Sequence, residues 1–113
     1  MPKGELVVCG NFEWWSEKND LKKINHIDKN NKGIGFEDIL DVFNEAYFYE
    51  IYDSAHSDDE QDRYIGFGFA KNLGLSVVQV VYTETQRIHI ISTRLASQQE
   101  RNFYYDRLRE INS

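Results

Sequence analysis

The chain reads as an α+β fold in which helices pack on a small antiparallel sheet. Three observations predict it. Phe36, Ile39, Leu40 and Phe43 recur at three- and four-residue steps, the period of a helix with one buried face. Three β-rich segments, 63–70, 75–82 and 87–93, follow one another across links of hairpin length, 71–74 and 83–86. A last segment opens on Ser97 with Glu100 three residues later, the spacing of a capping box.

In chain order, the apolar run Glu5 to Cys9 predicts a first strand. The chain leaves it around Phe12-Glu13-Trp14-Trp15, and Ser16 is a suitable N-cap for a helix over 16–27. That helix would expose Asn19, Lys22, Lys23 and His26 and bury a thin stripe of Leu21 and Ile24. Asp28 to Gly33 is polar and ends in glycine, so it is a turn before the helix that starts near Phe36. Tyr47, Phe48, Tyr49, Ile51 and Tyr52 favour an extended segment over 46–53, and 56–62 is polar enough to be a loop.

Strand 63–70 alternates, with Arg63, Ile65, Phe67 and Phe69 on one face and Gly66 and Gly68 on the other. The glycines suit a twisted strand lying close under a helix. The nearly continuous apolar run Leu75 to Tyr82 marks a central strand. In the third strand, alternation places Arg94 on the face of Ile88, Ile90 and Ser92, with no carboxylate adjoining it in sequence. The final helix buries Phe103, Tyr104, Leu108 and Ile111 and exposes Arg101, Arg109 and Glu110. The expected architecture is two N-terminal helices and a C-terminal helix on one antiparallel sheet, residues 1–113 forming a single domain.

At 41% apolar and 14% aromatic residues, the chain can build a core. No apolar run approaches the ~20 residues of a membrane helix, and the N-terminus lacks the apolar segment and cleavage site of a signal peptide. Cys9 stands alone, which excludes an internal disulfide and fits a cytoplasmic protein with a buried thiol on its first strand. The net charge of −6 argues against indiscriminate nucleic-acid binding. Its distribution argues otherwise, because residues 36–62 hold ten acids and no Lys or Arg while the flanking segments are mildly basic.

His26, His56 and His89 are scattered, and Asp58-Asp59-Glu60 lacks the pattern of a cation loop, so no metal or cofactor is expected. No phosphate loop, dinucleotide fingerprint or nucleophile elbow is present. Ile65-Gly-Phe-Gly-Phe-Ala70 touches the aromatic strand signature of RNA-recognition motifs, without its basic first position or its element order. Arg63, Arg87, Arg94 and Arg101 could converge at one end of the sheet, where forked, permanently charged donors suit a phosphodiester. The competing reading pairs them with the ten acids of 36–62.

These residues also resemble a known family. Phe12-Glu13-Trp14, Lys18-Asn19, Gly33-Ile34 with Phe36-Glu37-Asp38, Arg63 with Gly68, and Tyr82-Thr83-Glu84 match, in order, motifs of the BrnT-type toxins. The strongest block is Ile90-Ile91-Ser92-Thr93-Arg94, then Ala96, Glu100-Arg101 and Tyr104. The resemblance spans about residues 12 to 105, with Lys32 where the family usually has His and extra residues between Asn19 and Gly33.

The resemblance implies a RelE-like ribonuclease toxin that cleaves RNA without a metal, by attack of the ribose 2′-hydroxyl. Arg63 and Arg94 would stabilise charge on the phosphorane, and Lys32 or Glu37 would transfer protons, with Tyr104 and Glu100 as further candidates. Lys18, Arg87, Arg101 and Trp14 would contact RNA, although Trp14 also suits the core and Glu100 also suits a helix cap. A BrnA-like, DNA-binding antitoxin would be the partner, in a heterotetramer or beside a homodimer. Two rivals stand beside this reading. One is a binding or co-repressor module of the same fold with an eroded active site; the other is an interaction protein whose arginines are all paired.

Overall fold

The computed structural model describes residues 5–17, 20–24, 35–55, 57, 61–71 and 76–112. The chain forms β1 (Leu6–Cys9), β2 (Phe12–Glu17), β3 (Asp20–Ile24), α1 (Phe36–Asn44), β4 (Tyr49–Tyr52), β5 (Arg63–Ala70), β6 (Ser76–Glu84), β7 (Ile88–Leu95) and α2 (Gln98–Asn112). Six strands lie in the order β1-β2-β7-β6-β5-β4, and β3 pairs with β2. The α+β class and the β5–β6–β7 meander are as the sequence predicts.

Three expectations are corrected. The first predicted helix is absent: Ser16 and Glu17 end β2, 20–24 form β3, and 18–19 and 25–27 lie outside the described residues. Two helices, not three, are therefore present among the described residues. A helix over 16–27 would have buried only Leu21 and Ile24, whereas Phe12 and Trp14 alternate with Glu13 and Trp15 and give β2 one apolar face. The sheet is mixed rather than antiparallel, because β2 runs parallel to β7 with Phe12, Glu13 and Trp14 opposite Ile88, His89 and Ile90. Cys9 is exposed instead of buried, since β1 is an edge strand that packs on the core through Val7.

Alternation along the strands separates two apolar layers. Trp14, Ile39, Val42, Val78, Val80, Tyr82 and Ile90 form the core beneath α1. Phe67, Val77, Ala96 and Tyr104 form the core beneath α2, joined by Tyr49, Ile65, Phe69 and Leu108. Helix α1 starts where the Asp38 carboxylate accepts the Gly35 N–H at 2.9 Å. Helix α2 starts at the predicted box: the Glu100 N–H donates to Ser97 Oγ at 3.2 Å, and the Ser97 N–H donates to Glu100 Oε1 at 2.8 Å.

The glycines of β5 behave as the alternation suggested. A Cβ at Gly66 would enter the Phe48 ring, and one at Gly68 would stand 2.9 Å from the Val42 carbonyl oxygen. Backbone cannot rotate away as a side chain can, so Gly68 sets how closely α1 approaches the sheet. Gly68→Ala should therefore destabilise the fold by about 1–3 kcal/mol, read as a lower urea midpoint with an unchanged slope.

Candidate active site

The polar residues of the α2 face fall into rows that run across the strands. In β5 and β6, Arg63 lies opposite Thr83; Thr83 lies opposite His89 of β7, and His89 lies beside Glu13 of β2. Directly opposed residues share a face, so Arg63, Thr83, His89 and Glu13 form one continuous row. His89 Nδ1 and Glu13 Oε2 are 2.8 Å apart, with side chains 22% and 19% exposed. Thr83 is buried and accepts a 3.5 Å hydrogen bond from Gln61 Nε2. Arg63 Nε is buried without a hydrogen-bond partner, and among the described residues no carboxylate pairs with this guanidinium.

A second polar group lies farther along the same face, where α2 begins. Arg94 donates from Nη1 to Glu100 Oε1 and from Nη2 to Glu100 Oε2, both at 2.7 Å, and Gln79 Nε2 donates to Glu100 Oε2 at 2.8 Å. Arg94 Nη1 also reaches the Leu95 carbonyl at 3.1 Å. Partial burial by itself would raise the Glu100 pKa, but the hydrogen bonds from Arg94 and Ser97 outweigh it and hold the carboxyl below the ordinary glutamate range.

Strict alternation placed Arg94 with Ile88 and Ile90, and a bulge overturns that. Val81 pairs with Ser92 while Tyr82 pairs with Ile90, so Ile91 is an extra residue. Beyond it the strand's faces exchange: Leu95 joins Ile90 in the core under α1, and Arg94 turns to Glu100 on the α2 side.

The arginines do not converge as expected. Arg94 pairs with Gln79, four residues along β6 from the partner of Arg63 and one strand farther across the sheet. The two positions are ~13 Å apart along the strands and ~10 Å across them. Arg101 folds back to the Ala96 carbonyl at 3.0 Å and to Gln98 Oε1 at 2.6 Å. Arg87 is exposed at the β6–β7 turn, in a shallow cleft of about 350 Å³ that it shares with Asn11, Glu84 and Gln86. Nor are the paired arginines held by the acids of 36–62: Arg94, Arg107 and Arg109 meet Glu100, Glu110 and Asp106.

Of the remaining candidates, Glu37 is exposed on α1, on the opposite side of the sheet from Arg63. Tyr104 is wholly buried, donates to the Tyr47 carbonyl at 2.8 Å and has its pKa pushed up to about 12, chiefly by burial. Trp14 is 2% exposed in the core, so its ring has no face free to stack on a base. Lys18 and Lys32, like His26, His56 and Asp58-Asp59-Glu60, lie outside the described residues. Among the described residues no group of His, Cys, Asp and Glu is placed to hold a metal ion, and no helix is long and apolar enough to cross a membrane.

His89, Glu13 and Thr83 are the site residues that sequence reasoning passed over. Their signal is faint: Glu13 and His89 are 76 positions apart, and only the parallel β2–β7 pairing brings them together. Residues 14–100 match the model of the family described as "Ribonuclease toxin, BrnT, of type II toxin-antitoxin system". No curated protein gives a significant match.

The Glu100 junction has a measurable pH signature. A depressed folded pKa stabilises the fold above the unfolded value, near 4.5, and that contribution is lost as pH falls through the lowered folded value. Glu100→Gln should cost about 1 kcal/mol at neutral pH. The gap between wild type and variant in urea unfolding should close as the solution is acidified through that range.

Proposed function

The chain belongs to the BrnT family of type II toxin–antitoxin ribonuclease toxins, and from that premise we propose that it cleaves RNA by attack of a ribose 2′-hydroxyl on the adjacent phosphate, needing no metal. The observation that carries the reading is Arg63, a guanidinium with no carboxylate partner among the described residues and a buried, unpartnered Nε, at the start of a polar row. Such a group offers a fixed fork of donors to the phosphate oxygens as charge builds on them. Arg94, on the same face but charge-paired with Glu100, fixes the start of α2. Arg87, exposed at the β6–β7 turn, extends the path for the RNA backbone, while Lys18 as an RNA contact and Lys32 as a proton-transfer candidate rest on their places in the family motif alone. On this reading the fold is RelE-like, and one domain works in the cytoplasm, where its substrate is.

The partner is a BrnA-like antitoxin. The edge strand β1 supports this, for it carries Leu6 and Val8 at 46% and 48% exposure beside a strand edge that is unpaired among the described residues. Exposed apolar residues on a free edge suit an added strand or a covering helix from another chain. A heterotetramer built around paired antitoxins would follow from such an interface.

A second reading is favoured by one observation, the locking of Arg94 by Glu100: a binding or co-repressor module that has lost catalysis. Induction in cells with mapping of RNA ends separates the two. Wild type should arrest growth and cut transcripts, and Arg63→Ala should lower cleavage by ~10²–10³-fold. Intact transcripts with wild type, and growth indistinguishable from the Arg63→Ala strain, would leave only the binding module. Co-expression with the neighbouring antitoxin should yield a co-purifying complex whether or not Arg63 is present, because β2, β7 and β6 separate β1 from the strand that carries Arg63.

A further inference from the structure

Cleavage through a 2′-hydroxyl needs a group that removes its proton, and the residues first considered for that task are poorly placed or undescribed. Glu37 is across the sheet, and Tyr104 is enclosed and bonded to a carbonyl. The row that begins at Arg63 supplies an alternative. We infer that His89 is the general base of this site and that Glu13 is its positioning residue; the inference rests on the ribonuclease reading above.

The geometry carries it in three steps. First, the Glu13 carboxylate, 2.8 Å from Nδ1, can only accept, so it selects the tautomer with the proton on Nδ1. That leaves the Nε2 lone pair without a partner among the described residues, on a side chain that is still 22% exposed. Second, the backbone fixes both members. Glu13 and His89 are register partners in β2 and β7, and each is flanked by residues buried on the other face, Trp14 and Ile90. A base held on rigid strands in this way needs no reorganisation to act. Third, among the side chains the structure describes, the charged and polar groups in the row of His89 are Glu13 on one side and Thr83 and Arg63 on the other, with Gln61 bonded to Thr83. A phosphate held by Arg63 would therefore place its ribose over Thr83, between the Arg63 guanidinium and the His89 ring.

The step balances within the site. Nε2 takes the 2′-hydroxyl proton, the 2′-oxygen forms a bond to phosphorus, and the P–O5′ bond breaks. The electron pair of that bond leaves on O5′, which takes a proton from solvent water. The products are a 2′,3′-cyclic phosphate and a 5′-hydroxyl, and the imidazolium, held by the Glu13 carboxylate, returns its proton to water. Glu13 orients the ring and offsets its charge without itself becoming protonated.

The test uses the purified full chain and a short RNA oligonucleotide, with single-turnover cleavage as one readout and binding of the 2′-O-methyl form of the same oligonucleotide as the other. His89→Ala should lose ~10²–10⁴-fold in cleavage and keep its binding. Added imidazole should restore part of the lost rate in His89→Ala and none in Arg63→Ala, a response that a purely structural histidine would not give. Glu13→Gln should lose ~10–100-fold while still binding. Equal cleavage by wild type and His89→Ala, or a loss that imidazole leaves untouched, overturns the assignment of His89 while the ribonuclease reading stands. RNA left intact by the wild type under all these conditions overturns both.

Discussion

The parallel pairing of β2 with β7 is the contact on which the arrangement depends. Three residue pairs, Phe12 with Ile88, Glu13 with His89 and Trp14 with Ile90, join the N-terminal hairpin to the C-terminal meander. On one face they close the core under α1, where Trp14 and Ile90 are almost fully buried. On the other they set a carboxylate against an imidazole. The same three pairs therefore serve stability and the site at once, because strand alternation sends neighbouring side chains to opposite faces. The N-terminal hairpin can dock there because Gly10, at φ 59, closes a two-residue turn between Cys9 and Phe12.

The bulge at Ile91 is the second constraint. Without it, Arg94 would point into the layer of Ile88 and Ile90, and an unpaired guanidinium would be buried among apolar side chains. One extra residue exchanges the faces, so Leu95 packs inward and Arg94 meets the carboxylate that also caps α2. Glu100 thus ties three elements: β7 through Arg94, β6 through Gln79 and the start of α2 through Ser97. The helix is held by its first turn to the strands over which it lies.

Local chemistry was legible in the sequence, and long-range chemistry was not. The capping box of α2, the helix beginning at Phe36, the meander and the close approach at the β5 glycines all follow from residues a few positions apart. The false helix over 16–27 came from a good N-cap and a weak apolar stripe, and the pairing of Ser16 and Glu17 with 20–24 outweighed both. The site was only half visible. Arg63 could be found because it opens an alternating strand, but a bulge leaves no mark in composition, so Arg94 seemed unpaired until its face was known. His89 and Glu13 carry no sign of each other across 76 residues.

The acidity of 36–62 remains to be reconciled with a polyanionic substrate, and the two faces of the sheet do so in part. Glu37, Asp38 and Asp41 belong to α1, and Glu50 accepts from the buried Tyr82 hydroxyl beneath that helix. Burial first, and the bond to Glu50 second, hold that tyrosine far above its usual pKa, so its proton stays in place. These acids are thus fixed to the α1 side, separated from the Arg63 row by the sheet. Helix and sheet layers stand ~10 Å apart, about one screening length at physiological salt. On the proposed reading, an RNA strand on the α2 side would meet Arg63 at short range and these carboxylates only through that distance. The net charge therefore says little about either face, and the row on the α2 side sets what the site can attract.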